Sequence, residues 1–130
     1  MDILSSRVLL RPIDLLRSRD FYRDVLGLAV HREFGGPEAP GTVFFLGNGL
    51  LEVSGTSEPS GVPPLSLWVQ VRDVEAEYAR VTASGATGLR EPKQEFWGLV
   101  EAWIADPDGV RIVLVQIPDD HPLRRDQRTF

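Results

Sequence analysis

The chain contains no cysteine. That removes disulfides, thiolate metal sites and a cysteine nucleophile together, and it makes a reducing, cytoplasmic setting the expectation. Histidine is nearly as scarce, with only His31 and His121, and there is a single methionine. His31 lies in a strand-like run and is the weaker of two candidate general bases. No Ser, Asp and His arrangement of the triad type accompanies it, so a structural or solvent-facing role is the plainer reading. His121 falls in a polar tail. No run approaches the roughly 18 apolar residues of a membrane span, and the start lacks a basic region followed by an apolar stretch, so no membrane partner is expected. Basic excess is missing too: 14 Lys and Arg stand against 19 Asp and Glu, a net charge of −5. That argues against nucleic acid as a partner, because few cations are spare to neutralise phosphates. An acidic balance commonly serves solubility; its sharper reading is attraction of a cationic ligand.

What is present is turn chemistry and repetition. Asp106-Pro107-Asp108-Gly109 joins proline's fixed φ, two hydrogen-bonding carboxylates and a glycine for positive φ. Apolar-rich runs flank it, Gly98 to Ala105 before and Val110 to Gln116 after, which reads as a β-hairpin. Thr42 to Leu46, Gly47-Asn48-Gly49 and Leu50 to Val53 repeat that design. Ahead of the first hairpin come a strand over 3–12, a helix from Leu15 to Leu26 opened by Asp14 and stopped by Gly27, and a strand from Leu28 to Phe34. Ahead of the second come Leu65 to Val71, then Val74 to Ala83 after Asp73, then Leu89-Arg90-Glu91. Asp14 and Asp73 are 59 positions apart and Gly49 and Gly109 are 60 apart, the signature of a tandem duplication.

The expected fold is therefore α+β: two βαβββ modules, about 3–54 and 65–117, in one domain of residues 1–117. The Pro- and Gly-rich linker 55–64 joins them, and 118–130 forms a surface tail. A lone module cannot cover both faces of its sheet. The modules must pack together or swap between two chains, and a homodimer is expected.

This plan resembles the vicinal oxygen chelate superfamily, which includes glyoxalase I, extradiol dioxygenases and the fosfomycin- and bleomycin-resistance proteins. The resemblance rests on Asp14-Leu15, on Phe21-Tyr22-Arg23-Asp24-Val25-Leu26-Gly27-Leu28, and on Asp106-Pro107-Asp108-Gly109 before an apolar strand. It implies a cupped mixed sheet and, in metal-dependent members, four ligands from the first and last strand of each module. Those positions fall here on Arg7, Glu52, Ser66 and Val113. Only Glu52 binds a divalent cation well, and an arginine repels one. The resemblance thus implies a lost metal site, with no cofactor expected.

Alternation along the strands puts Arg7, Leu9 and Arg11, then Leu50, Glu52 and Ser54, on one face of the first module. Ser66, Trp68, Gln70, Val113 and Val115 share the equivalent face of the second, with Trp103 beside them. The opposite face is almost wholly apolar. A mixed face suits a ligand cup, and its residues form the candidate ligand site: Arg7, Leu9, Arg11, Glu52, Ser66, Trp68, Gln70, Trp103 and Val113. The guanidinium of Arg7 is expected to fill the place of the metal and pair with Glu52, either as a brace or as a grip for an anionic group. The tryptophans favour flat or cationic ligands; core or interface contact is the alternative for Trp68 and the preferred one for Trp97. Two functions follow. One is a metal-independent small-molecule-binding protein of the bleomycin-resistance type. The other is a glyoxalase-like lyase, isomerase or dioxygenase-type enzyme, with a rebuilt metal site or acid–base chemistry on Glu52, the best catalytic candidate, or on His31.

Overall fold

Asp14 and Asp73 each open a helix with the carboxylate. Asp14 accepts from the Arg17 amide at 3.1 Å, and Asp73 from the Ala76 amide at 3.0 Å. In each case a short acceptor satisfies a donor that the first helical turn leaves without a partner. The computed structural model describes residues 2, 4–5, 7–59, 61, 63 and 65–122. Within them the order is β1 (Val8–Leu10), α1 (Leu15–Asp20) running on into a π-helical segment (Phe21–Val25), β2 (Val30–Phe34), β3 (Gly41–Leu46) and β4 (Gly49–Val53). The plan then repeats as β5 (Ser66–Gln70), α2 (Val74–Ala83), β6 (Thr87–Gln94), β7 (Val100–Ala105) and β8 (Arg111–Gln116). The α+β plan of paired βαβββ modules is thus present.

The strands make two four-stranded mixed sheets, ordered β1-β4-β3-β2 and β5-β8-β7-β6. In each, the module's first strand runs parallel to its last, and the other pairs are antiparallel. Each module thus contributes one four-stranded mixed sheet. Their apolar backs meet in one core: Leu10, Tyr22, Phe44 and Leu51 of the first half cluster with Val74, Ile104, Ile112 and Leu114 of the second. Burial of this continuous apolar surface is what joins the modules.

Three expected elements change. The first strand is three residues long and ends before Pro12, which has no amide to offer a ladder; Ile3 and Ser6 lie outside the described residues. The first helix does not stay α-helical to Leu26. Its last turn widens, with the Leu26 amide donating to the Phe21 carbonyl at 3.0 Å, five residues back. Adjacent Phe21 and Tyr22 are both buried there, their rings meeting edge to face at 5.2 Å. The strand expected at Leu89-Arg90-Glu91 is longer, running from Thr87 to Gln94, and the turn after it carries Phe96 and Trp97.

Polar contacts reinforce the joint between halves. The Tyr22 hydroxyl donates to Asp106 Oδ2 at 2.8 Å, the Ile13 amide to Asp108 Oδ2 at 2.9 Å, and Arg17 to Asp108 Oδ1 at 3.0 Å. Arg80 on α2 donates to the carbonyls of Val25 and Leu26, both at 3.1 Å. Those carbonyls lie at the end of the first helix, where a cation is favoured. Of the polar tail, Pro118 to Pro122 is described, and His121 Nε2 lies 2.9 Å from the Trp97 carbonyl oxygen; 123–130 lies outside the described residues. Among the described residues no helix is long and apolar enough to cross a membrane.

Candidate functional site

Period-two alternation sorts the strands as expected. Leu51, Val53, Leu67, Ile112 and Leu114 are buried against the helices, while Leu9 and Trp68 on the other face are 50% and 53% exposed. Val115 departs from this pattern. It faces the mixed side yet is fully buried, closed into a small cluster with Leu99 and Ile117.

On the first sheet the structure brings Arg7, Arg11, Glu52 and Ser54 together. Arg7 Nη1 lies 2.9 Å from Glu52 Oε1, and Arg11 Nη1 lies 3.4 Å from Oε2. The Ser54 hydroxyl donates to Glu52 Oε2 at 2.6 Å, and Arg11 Nη1 donates to Ser54 Oγ at 2.7 Å. The parallel register of β1 and β4 causes this. Leu9 stands opposite Glu52, so the residues two places either side of Leu9 bracket the carboxylate. The Glu52 carboxyl is held below the usual carboxylate range, first by the Ser54 hydroxyl and then by the two guanidiniums, against an opposing cost of desolvation. It stays ionised and is correspondingly a weak base.

On the second sheet, Trp68, Val113, Trp103 and Arg90 form one row across β5, β8, β7 and β6. The Arg90 guanidinium lies 4.0 Å from the centroid of the Trp103 ring, and that of Arg111 lies 4.7 Å from it. Arg90 is also paired with the buried Glu95. Glu101, buried as well, accepts from the indole of Trp97 at 3.2 Å and from that of Trp103 at 3.5 Å. Ser66 and Gln70 stay exposed on the same face. A groove of about 610 Å³ opens beside Trp68 and Gln70, bounded across from β5 by Gly47 and Asn48 of the β3–β4 turn.

The candidate residues therefore fall into two half-sites. Arg7, Leu9, Arg11 and Glu52 belong to one; Ser66, Trp68, Gln70, Trp103 and Val113 belong to the other. No hydrogen bond or ion pair among the described residues joins the first set to the second. His31 sits on β2, its ring edge-on to Phe45 at 4.9 Å, and is not brought to Glu52. Arg90, Glu101 and Arg111 were missed in the sequence. Alternation already held the signal for two of them, since Glu101 and Arg111 lie two places from Trp103 and Val113.

The donor chemistry does not fit a divalent ion. Val113 offers no donor, Ser66 a hydroxyl only, and the Glu52 carboxylate already carries two guanidiniums. Among the described residues there is no group of three or more His, Cys, Asp or Glu side chains placed to hold a metal.

Residues 5–114 match the family described as Glyoxalase/Bleomycin resistance protein/Dioxygenase superfamily. The chain is 33% identical over 119 residues to the lactoylglutathione lyase of Haemophilus influenzae, covering 83% of this chain and 88% of that protein. It is 30% identical over 121 residues to the probable lactoylglutathione lyase of Synechocystis, covering 83% and 91%. In fold it is similar to the crystal structure of TioX from Micromonospora sp. ML1, with a TM-score of 0.74 at 23% identity, covering 88% of this chain and 98% of that one.

Proposed function

We propose that this chain, which belongs to the Glyoxalase/Bleomycin resistance protein/Dioxygenase superfamily, is a small-molecule-binding protein that works without a metal ion. Members of the superfamily bind small molecules and often form dimers. The ligand lies against the mixed faces of the two sheets. The observation that carries this reading is the Arg7–Glu52–Arg11 cluster. Two guanidiniums occupy the surviving carboxylate, and a cation approaching Glu52 must displace both.

A homodimer fits the same geometry. Each half-site is open, with Leu9 and Phe45 exposed on one and Trp68 on the other, and a second copy supplies cover for these exposed side chains. Of the two ligand classes that the sequence suggested, a flat aromatic one suits the exposed Trp68. A purely cationic one finds Glu52, Glu95 and Glu101 already bonded. With no cysteine to oxidise, the cytoplasm is the proposed compartment.

Elemental analysis of the purified protein, together with binding followed by Trp68 fluorescence, tests this reading. The expected result is less than a tenth of an equivalent of any divalent metal and saturable quenching by an aromatic ligand. A stoichiometric metal that chelation removes together with binding overturns it. The names of the two curated relatives favour a second reading, a lyase. Lactoylglutathione lyase turnover that appears on adding a divalent ion and vanishes with chelator would establish that reading instead.

A further inference from the structure

The second half-site has more donors than acceptors. Glu95 is taken by Arg90, and the two oxygens of Glu101 face the indoles of Trp97 and Trp103. Arg111, exposed at the start of β8, has no carboxylate partner among the described residues; its guanidinium rests over the Trp103 ring. Arg90 Nε is buried in the same corner with no hydrogen-bond partner among the described residues.

Two residues of β5 flank this free cation. Ser66 stands directly beside Arg111 in the parallel register, its hydroxyl on the same face. Trp68 is one row further along, next to Val113, and 53% exposed. Its ring stacks on no other ring or guanidinium among the described residues. One strand across and two residues along separate the Arg111 and Trp68 Cα atoms by about 8 Å. That is the span of a planar ring bearing a charged group.

We infer that the ligand is a flat aromatic anion. Its ring lies on Trp68, and its carboxylate, or another oxyanion, accepts from the Arg111 guanidinium and the Ser66 hydroxyl. The inference rests on the binding reading above and names its ligand class. Arginine presents a planar fork that matches a carboxylate, and the ring of Trp103 holds that fork from behind. Trp68 supplies a face that takes any flat ring, so the anion gives the selectivity. A cationic aromatic would meet the same Trp68 but with Arg111 opposing it.

Three probes that share one naphthyl ring and carry an anionic, a neutral or a cationic group test the inference: 2-naphthoate, 2-naphthylmethanol and 2-naphthylmethylammonium, titrated calorimetrically into the full chain. Naphthoate is expected to bind about tenfold tighter than the alcohol, the yield of one charge-assisted contact, and the amine to bind weakest. Arg111→Met should bring naphthoate to the affinity of the alcohol while moving the alcohol itself by less than about twofold. Arg111→Lys should keep part of the preference, and Trp68→Ala should weaken all three probes. If Arg111→Met fails to fold, the wild-type ranking and Ser66→Ala, expected to weaken naphthoate alone, still decide. Equal binding of the alcohol, or a preference that survives Arg111→Met, overturns the anion assignment and leaves the binding reading standing. Failure of all three probes to bind the wild type rejects both.

Discussion

Tyr22→Phe removes one oxygen atom and, with it, the shortest buried polar link between the halves. Tyr22 is fully buried, and its hydroxyl donates to Asp106 Oδ2 at 2.8 Å. The ring contacts with Phe21 at 5.2 Å and Phe44 at 6.4 Å survive the change. Asp106 Oδ1 also keeps its two amide donors, Asp108 at 2.9 Å and Val110 at 2.8 Å. The loss is therefore a single charge-assisted hydrogen bond to a buried acceptor, about 1.5–3 kcal/mol. For a domain of this size that corresponds to roughly 5–12 °C in melting temperature. The phenol itself stays protonated, because burial and then the charge of Asp106 push it far above its ordinary value.

The effect must also depend on pH. Burial raises the Asp106 carboxyl above its ordinary value, while the Val110 amide, the Tyr22 hydroxyl and the Asp108 amide pull it back. A carboxyl whose folded value is raised favours folding most when protonated. Stability is lost as pH rises from the unfolded value, near 3.9, through the folded one. Deleting the Tyr22 donor raises the folded value further and steepens that loss. The deficit of Tyr22→Phe is thus largest at neutral pH and shrinks as the pH falls through the titration of Asp106. Urea unfolding followed by circular dichroism, at pH 7 and stepwise down to about pH 4, measures it. A deficit below about 0.5 kcal/mol at pH 7, or one that stays constant with pH, refutes the reasoning.

Glu52→Gln should cost less than about 1 kcal/mol, since both its arginine partners are partly exposed to solvent. The depressed Glu52 carboxyl contributes stability above its unfolded value, near 4.3, which is lost as pH falls through the folded one. The gap between wild type and variant should therefore close below about pH 4, and a gap that widens there would count against the cluster. Gly109→Ala should cost about 1 kcal/mol through backbone strain alone, because φ is +86° and an added Cβ would meet nothing within 4 Å. A thermal melt indistinguishable from wild type would show that the turn can relax.

Much of the fold was legible because local rules carried it. The Asp14 and Asp73 caps, the glycine stops and the 60-residue period mark two copies of one module. Strand alternation correctly separated Leu51, Val53, Ile112 and Leu114 from Glu52, Trp68 and Val113. The early end of β1 follows from Pro12, whose missing amide is a matter of residue identity alone. The widening of the first helix was not legible. It follows from Phe21 and Tyr22 both finding buried partners, among them Phe44 and Asp106, which lie far away in the chain. His31, for which a structural or solvent-facing role is the plainer reading, has the Phe45 ring as its neighbour.

For the site, the sequence by itself determined the chemistry available: no thiols, two histidines, and Arg7, Ser66 and Val113 where the resemblance implies metal ligands. These are matters of residue identity, and no fold can alter them. Only the tertiary structure decided how those groups are spent. The strand register puts Arg11 and Ser54 on Glu52 along with Arg7, lays Arg90 and Arg111 against Trp103, and leaves Arg111 without a carboxylate among the described residues. Sequence names the donors and acceptors, but whether two of them meet depends on which strands are neighbours and in what register.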